Sequence, residues 1–241
     1  MKVAILETGR PTDDFTEKYG SYAEMFVRLF APVADWNIET IHLIDGQELP
    51  KPTDYDGYLI TGSAFGAYDP EPWIPPLEAF IRDLASSAIP LVGICFGHQI
   101  IAQALGGTVE KSVKGWGVGV HEYELQVDKD WMRPAARRFA IPVIHQDQVV
   151  IPPAGAQVLG GNNFCPYGIL AYGDNILTFQ GHPEHPRAFG KALLELRREV
   201  RIPAQVADLG IASLDRPGQE SQVAQWIRNF VEAGAAATTG G

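Results

Sequence analysis

Cysteine is nearly absent from this chain. The two present, Cys95 and Cys165, with no C-x-x-C pair, exclude a disulfide framework and fit a reducing compartment, so a cytoplasmic location is expected. Positive charge is also scarce: 19 lysines and arginines face 29 aspartates and glutamates, for a net charge of -10. That acidity repels nucleic-acid phosphates and anionic membrane surfaces, so neither is expected as a partner. No apolar run approaches the roughly 18 residues that a bilayer span requires. The opening MKVAILETGR carries one lysine and a short apolar run, too little for a signal peptide. Internal repeats and long linkers are missing as well. One domain over residues 1–235 is expected. Residues 236–241 are read as a disordered tail, at the end of the small, polar stretch EAGAAATTGG that begins at Glu232.

What the sequence does contain is an alternation of short apolar runs and longer amphipathic segments. KVAILE (2–7), NIETIHLI (37–44), DGYLITGS (56–63) and PLVGIC (90–95) have the length and composition of strands. Between them, YAEMFVRLF (22–30), WIPPLEAFIRDLASS (73–87) and GHQIIAQALGG (97–107) have helical periodicity. The second carries prolines in its first turn, and the third ends on glycine. Strand, helix and strand repeated in this way predict a mostly parallel sheet with helices on both faces. Beyond residue 107 the texture becomes β-rich, with short strands and turns such as YGDN (172–175) that predict antiparallel pairing. Two helices are expected near the end, over 186–201 and 220–233.

The stretch GICFG, residues 93–97, joins a strand to a helix through a glycine-flanked cysteine. A G-x-nucleophile-x-G turn at that junction strains the nucleophile's backbone, and small neighbours let the surrounding main chain come close. The helix N-terminus just beyond favours a thiolate at Cys95, and the Phe96 N–H points toward an oxyanion formed beside the sulfur. A lone cysteine at a strand end is more often a buried small residue. Glycine on both sides tips the reading toward a nucleophile.

A cysteine nucleophile needs a histidine, and the histidine needs a group to orient it. His42 and His121 lie on strands away from this turn. His98 is too local to swing onto Cys95 and is expected to form a buried hydrogen bond. The segment FQGHPEH is more informative. His182 and Glu184 alternate, so in an extended segment both side chains leave the same face, and Pro183 stiffens the link. Cys95, His182 and Glu184 then supply nucleophile, base and orienter. Two other readings compete. His182, Glu184 and His185 could bind a metal, although their spacing fits zinc patterns poorly, or HPEHP could be a polar turn capping the next helix.

Taken together, GICFGHQIIAQALGG and FQGHPE resemble the class I glutamine amidotransferase domain, most closely the stand-alone branch similar to the glutaminase domain of GMP synthase. The resemblance runs from the first strand to the helix after residue 186 and implies a flavodoxin-like α/β fold. It also implies cysteine-dependent hydrolysis of the glutamine γ-amide through a γ-glutamyl thioester, with Cys95 attacking and His182, oriented by Glu184, moving protons. The oxyanion hole would be the backbone N–H groups of Gly62 and Phe96. Gln99 would belong to the substrate pocket, and Ile144, His145 and Gln146 to the strip that grips the amino-acid head. No metal or organic cofactor is implied.

The sequence departs from the family in two places. The oxyanion loop reads Thr61-Gly62-Ser63-Ala64 in place of G-G-P or N-G-P-G forms, and Ile144 and Gln146 stand where a small polar residue and a glycine are usual. Both touch substrate recognition. Similar stand-alone proteins include γ-glutamyl peptidases, which makes glutathione-like γ-glutamyl compounds the alternative substrates. The chain has no S-G-G-x-D-S motif and no P-loop, so a glutaminase role would call for a synthetase subunit to accept the ammonia. A non-catalytic binding protein on the same fold is the third reading.

Overall fold

The computed structural model describes residues 1–239, with side chains to residue 237. A nine-stranded mixed sheet forms its centre. Its parallel half comprises β1 (Lys2–Glu7), β2 (Asn37–His42), β3 (Gly57–Ile60) and β4 (Leu91–Ile94). A two-stranded ribbon of β5 (Thr108–Lys111) and β8 (Asp147–Ile151) stands apart from it. The β-rich half contributes β6 (Gly117–Leu125), β7 (Arg138–His145), β9 (Ala156–Gly161), β10 (Ile169–Tyr172) and β11 (Ile176–Phe179). The large sheet runs β2-β1-β3-β4-β11-β10-β9-β6-β7. Its first five strands are parallel and the remainder pair antiparallel. The expected flavodoxin-like arrangement is therefore present, extended at one edge by an antiparallel meander.

Seven helices cover this frame among the described residues: α1 (Asp13–Tyr19), α2 (Tyr22–Phe30), α3 (Ile74–Ala85), α4 (Phe96–Ala104), α5 (Arg187–Arg197), α6 (Ala204–Ser213) and α7 (Glu220–Thr239). Strand alternation decides which face each covers. Val3 and Ile5 of β1 join one apolar cluster with Phe26 and Phe30 of α2 and Trp226 and Ile227 of α7. Ala4 and Leu6 point the other way, into a cluster with Leu77 and Ile81 of α3 and Ile100 and Ile101 of α4. Because both faces are covered, β3 and β4 are buried at every residue, which explains their unbroken apolar sequences.

Two helices depart from the sequence expectation. α1 buries none of its residues and so carries no hydrophobic stripe. α6 buries Ala207, Gly210 and Ser213 against β6, where Gly119 faces Ser213 and the Ser213 hydroxyl accepts from the Val120 N–H at 2.9 Å. A stripe of small residues permits close approach yet leaves no hydrophobic period to read.

The expected tail also differs. α7 continues through EAGAAATT and ends at Thr239, because alanine is the strongest helix former and extends a helix already anchored by packing. Gly240 and Gly241 lie outside the described residues. No helix among the described residues is long and apolar enough to cross a membrane.

Trp226 ties α7 to the sheet. Its ring packs edge-on against Phe139 at 5.4 Å, and its indole N–H donates to the Pro134 carbonyl at 2.8 Å. Trp226→Ala is expected to destabilise the fold by about 3–5 kcal/mol, measured as a shift in urea midpoint at constant m.

Candidate active site

The site lies at the C-terminal ends of β3, β4 and β11, where ligands bind in open α/β sheets. β4 stops at Ile94, and Cys95 turns the chain with φ 53 and ψ -99 before α4 begins at Phe96. A residue with a Cβ pays for that left-handed φ, so the turn has to be held by its surroundings. The Cys95 N–H donates to the Phe179 carbonyl at 2.8 Å, and the Gly97 N–H donates to the Thr61 carbonyl at 3.1 Å. A Cβ on Gly97 would lie 2.4 Å from the Ile60 carbonyl oxygen, and one on Gly93 would lie 2.6 Å from the Gly97 backbone. Both flanking glycines are therefore steric requirements of the crossing between β3, β4 and α4.

β11 releases the chain at Gly181, and the His182 N–H donates to the Pro142 carbonyl of β7 at 2.8 Å. His182 Nδ1 then meets Glu184 Oε1 at 2.7 Å, both side chains being buried. Cys95 neighbours the same imidazole and contributes to its electrostatics. Burial by itself lowers the His182 pKa. The negative charges of Cys95 and Glu184, with their hydrogen bonds, outweigh burial and raise it to about 10. A Cβ on Gly62 would lie 2.9 Å from His182 Cε1 and 3.7 Å from Cys95 Cβ, so the loop after β3 closes over the same point. The backbone N–H groups of Gly62 and Phe96 have no acceptor among the described residues.

His185, which the sequence placed only in a polar turn or a metal cluster, stacks on His182 with ring centroids 3.9 Å apart and planes inclined by 8°. Burial, with the charges of His182 and Arg197, holds its pKa well below the ordinary histidine value, so it covers the His182 face as a neutral ring. His182, Glu184 and His185 do bring their ligand atoms within 4.8 Å of one another. Stacked, parallel rings direct their lone pairs into parallel planes, however, and such lone pairs do not converge on one ion.

Cys95 opens into a cavity of about 370 Å³, at the small end of the roughly 300–1,000 Å³ typical of small-molecule sites. Gln99, Ile144, His145 and Gln146 all line it. Gln99 donates to the Asp147 backbone carbonyl at 2.8 Å and to the Gln180 side chain at 3.2 Å, so it braces the 144–147 strip. His145 Nδ1 also meets the Asp147 backbone carbonyl, at 3.0 Å, and burial lowers its pKa to about 3, leaving a neutral ring. The Asp147 carboxylate accepts from the Tyr68 hydroxyl at 2.9 Å and does not pair with His145. His98 is fully buried and bonds Thr178 at 2.8 Å, away from the cavity. The cavity also gathers Tyr68, Asp69, Lys111, Trp116, Arg197 and Arg201. Nothing in the sequence around Lys111, Arg197 and Arg201 signals the pocket, and none of the six belongs to the motifs at 93–99 and 181–184. They converge from the loop after β3, from the β5–β8 ribbon and from the end of α5.

The class I glutamine amidotransferase family model matches residues 17–198. γ-Glutamyl peptidase 2 of Arabidopsis thaliana is 34% identical over 204 residues, covering 81% of this chain and 79% of that protein. γ-Glutamyl peptidase 5 of the same plant is 32% identical over 229 residues, covering 89% and 88%. The crystal structure of a glutamine amidotransferase from Thermotoga maritima superposes with a TM-score of 0.77 at 20% identity, covering 98% of each chain, which is a likeness of fold. On the extent of the family match and the identity to these relatives, the chain belongs to the class I glutamine amidotransferase family.

Proposed function

We propose that this protein is a cysteine-dependent γ-glutamyl amide hydrolase. The observation that carries the reading is the convergence of Cys95, His182 and Glu184 at one end of the cavity, with two backbone N–H groups beside the sulfur left without acceptors.

The chemistry follows from the placement. The Cys95 thiolate attacks the γ-carbonyl carbon, and the carbonyl oxygen becomes an oxyanion that accepts from the Gly62 and Phe96 N–H groups. The imidazolium of His182 then donates its proton to the departing nitrogen as the C–N bond breaks. This leaves a γ-glutamyl thioester and a neutral imidazole. His182 takes a proton from water, the hydroxide attacks the thioester, and glutamate leaves as the thiolate and imidazolium are restored. Glu184 holds the ring through Nδ1 during both transfers. Asp147 and Lys111, which pair across the β5–β8 ribbon and both line the cavity, are our candidates to hold the substrate's α-ammonium and α-carboxylate.

Two leaving groups fit this scheme. With glutamine the product is ammonia, and a synthetase subunit would be its acceptor. With a γ-glutamyl peptide the product is an amino acid or peptide, and no partner is needed. The identity to γ-glutamyl peptidases favours the second.

Glutamate release from glutamine and from γ-glutamyl peptides tests the reading. Cys95→Ala is expected to abolish release, and Glu184→Gln to lower kcat by about 10²–10⁴-fold, as loss of the orienting carboxylate does in related triads. A labelled γ-glutamyl group should be found on Cys95 by mass spectrometry after acid quench. Undiminished release by Cys95→Ala would refute the proposal.

The protonation state gives a separate test. Because the His182 pKa is raised to about 10, the ring stays an imidazolium through neutral pH and loses its donor proton only as pH rises past that value. Activity is therefore expected to fall on an alkaline limb near pH 10. Removing the thiolate removes the largest raising influence, so NMR titration of Cys95→Ala should show the His182 pKa moved down. An unmoved pKa would show that the two groups do not interact.

A further inference from the structure

Arg197 and Arg201 line the same cavity as Cys95. Among the described residues, neither side chain has a hydrogen bond or a carboxylate within ion-pair distance. Several other arginines do have carboxylate partners. Arg198 binds Asp208 through two bonds of 2.7 and 2.9 Å, Arg187 pairs with Glu220, and Arg10 pairs with Asp45 at 2.8 Å. In a chain with ten more acids than bases, two cations left without partners at a cavity wall call for an explanation.

Local folding fixes where they point. After α5 the chain turns tightly, with the Arg201 N–H donating to the Arg197 carbonyl at 2.9 Å and the Ile202 N–H to the same carbonyl at 3.0 Å. Buried Ile202 anchors this turn and holds the two guanidinium-bearing residues together. Arg197 closes α5, the helix that follows the 182–186 loop, and lines the cavity together with Cys95. The Arg197 charge is accordingly felt by Tyr22, His185 and Cys95. In the proposed mechanism Asp147 and Lys111 take the two charges of the amino-acid head. The arginine pair is therefore surplus to the γ-glutamyl group, and Trp116 and Ile144 beside it offer an apolar wall to an intervening residue.

Resting on the γ-glutamyl hydrolase reading, we propose that Arg197 and Arg201 form a carboxylate subsite for the leaving group, which selects γ-glutamyl peptides with a free C-terminal carboxylate over glutamine and over neutral γ-glutamyl amides. Half-buried Arg197 without a counter-ion is unfavourable, and a carboxylate held by its planar donor fork, with exposed Arg201 one turn on, relieves it. Ammonia, the leaving group of glutamine, has nothing for the pair to hold.

The test compares kcat/KM for γ-Glu-Ala-Gly, its C-terminal carboxamide and glutamine, using wild type, Arg197→Gln, Arg201→Gln and, as a control, Arg198→Gln. Wild type is expected to prefer the free acid over the carboxamide by roughly 10–100-fold, the contribution of a hydrogen bond to a charged group. Arg197→Gln and Arg201→Gln should erase that preference, read as the acid-to-carboxamide ratio within each variant, with circular dichroism showing that the variants fold. Arg198→Gln should keep the preference. Equal wild-type rates on acid and carboxamide would overturn the inference. So would variants that slow all three substrates alike, since the arginines would then hold the γ-glutamyl head. No cleavage of any substrate by folded wild type would overturn the hydrolase reading, and the subsite with it.

Discussion

The close crossing of α4 over β3 and β4 is the constraint on which the site depends. Backbone meets backbone there, with Gly97 against the Ile60 carbonyl and Gly93 against Gly97, at separations that leave no room for a single methyl group. That contact is what can hold Cys95 in a left-handed conformation. It also brings the loop after β3 to the sulfur, so that Gly62 lies against both Cys95 and His182. Remove the close approach and the proposed nucleophile, the two N–H donors and the histidine no longer share a point.

The electrostatics build on this packing. Cys95, His182 and Glu184 are all buried, and burial penalises the charged form of each of them alone. In the proposed mechanism His182 is the cation between the other two, and the raised pKa of its ring shows that these neighbours more than offset its own desolvation. The neutral rings of His185 and His145 suit such a place, because a further cation would compete with His182 for the same two anions. Arg197 and Arg201, without ion-pair partners among the described residues, line the same cavity at and just beyond the end of α5, Arg197 half-buried and Arg201 exposed.

How much of this could be read beforehand depends on what kind of signal each part leaves. Elements whose burial follows a simple period were legible. β1 alternates between two cores, α2 and α3 carry apolar stripes, and β3 and β4 are continuously apolar because both faces are covered. α6 was not legible, since Ala207, Gly210 and Ser213 pack through smallness and not through hydrophobicity. The extent of α7 was hidden because its alanines look like a polar tail by composition, yet continue a helix already nucleated by Trp226 and Ile227.

Local devices are written directly in the chain. A cysteine between two glycines at a strand-to-helix junction, and a histidine and glutamate alternating about a proline, are each specified within a few residues, because backbone sterics and side-chain periodicity act over that range. What those devices face was left to long-range packing. The stacking of His185 on His182, the Tyr68 bond to Asp147, and the meeting of Lys111, Arg197 and Arg201 in one cavity depend on how separate elements come together. Such pairings are set by sheet order and crossover packing, and leave no pattern in the neighbouring sequence.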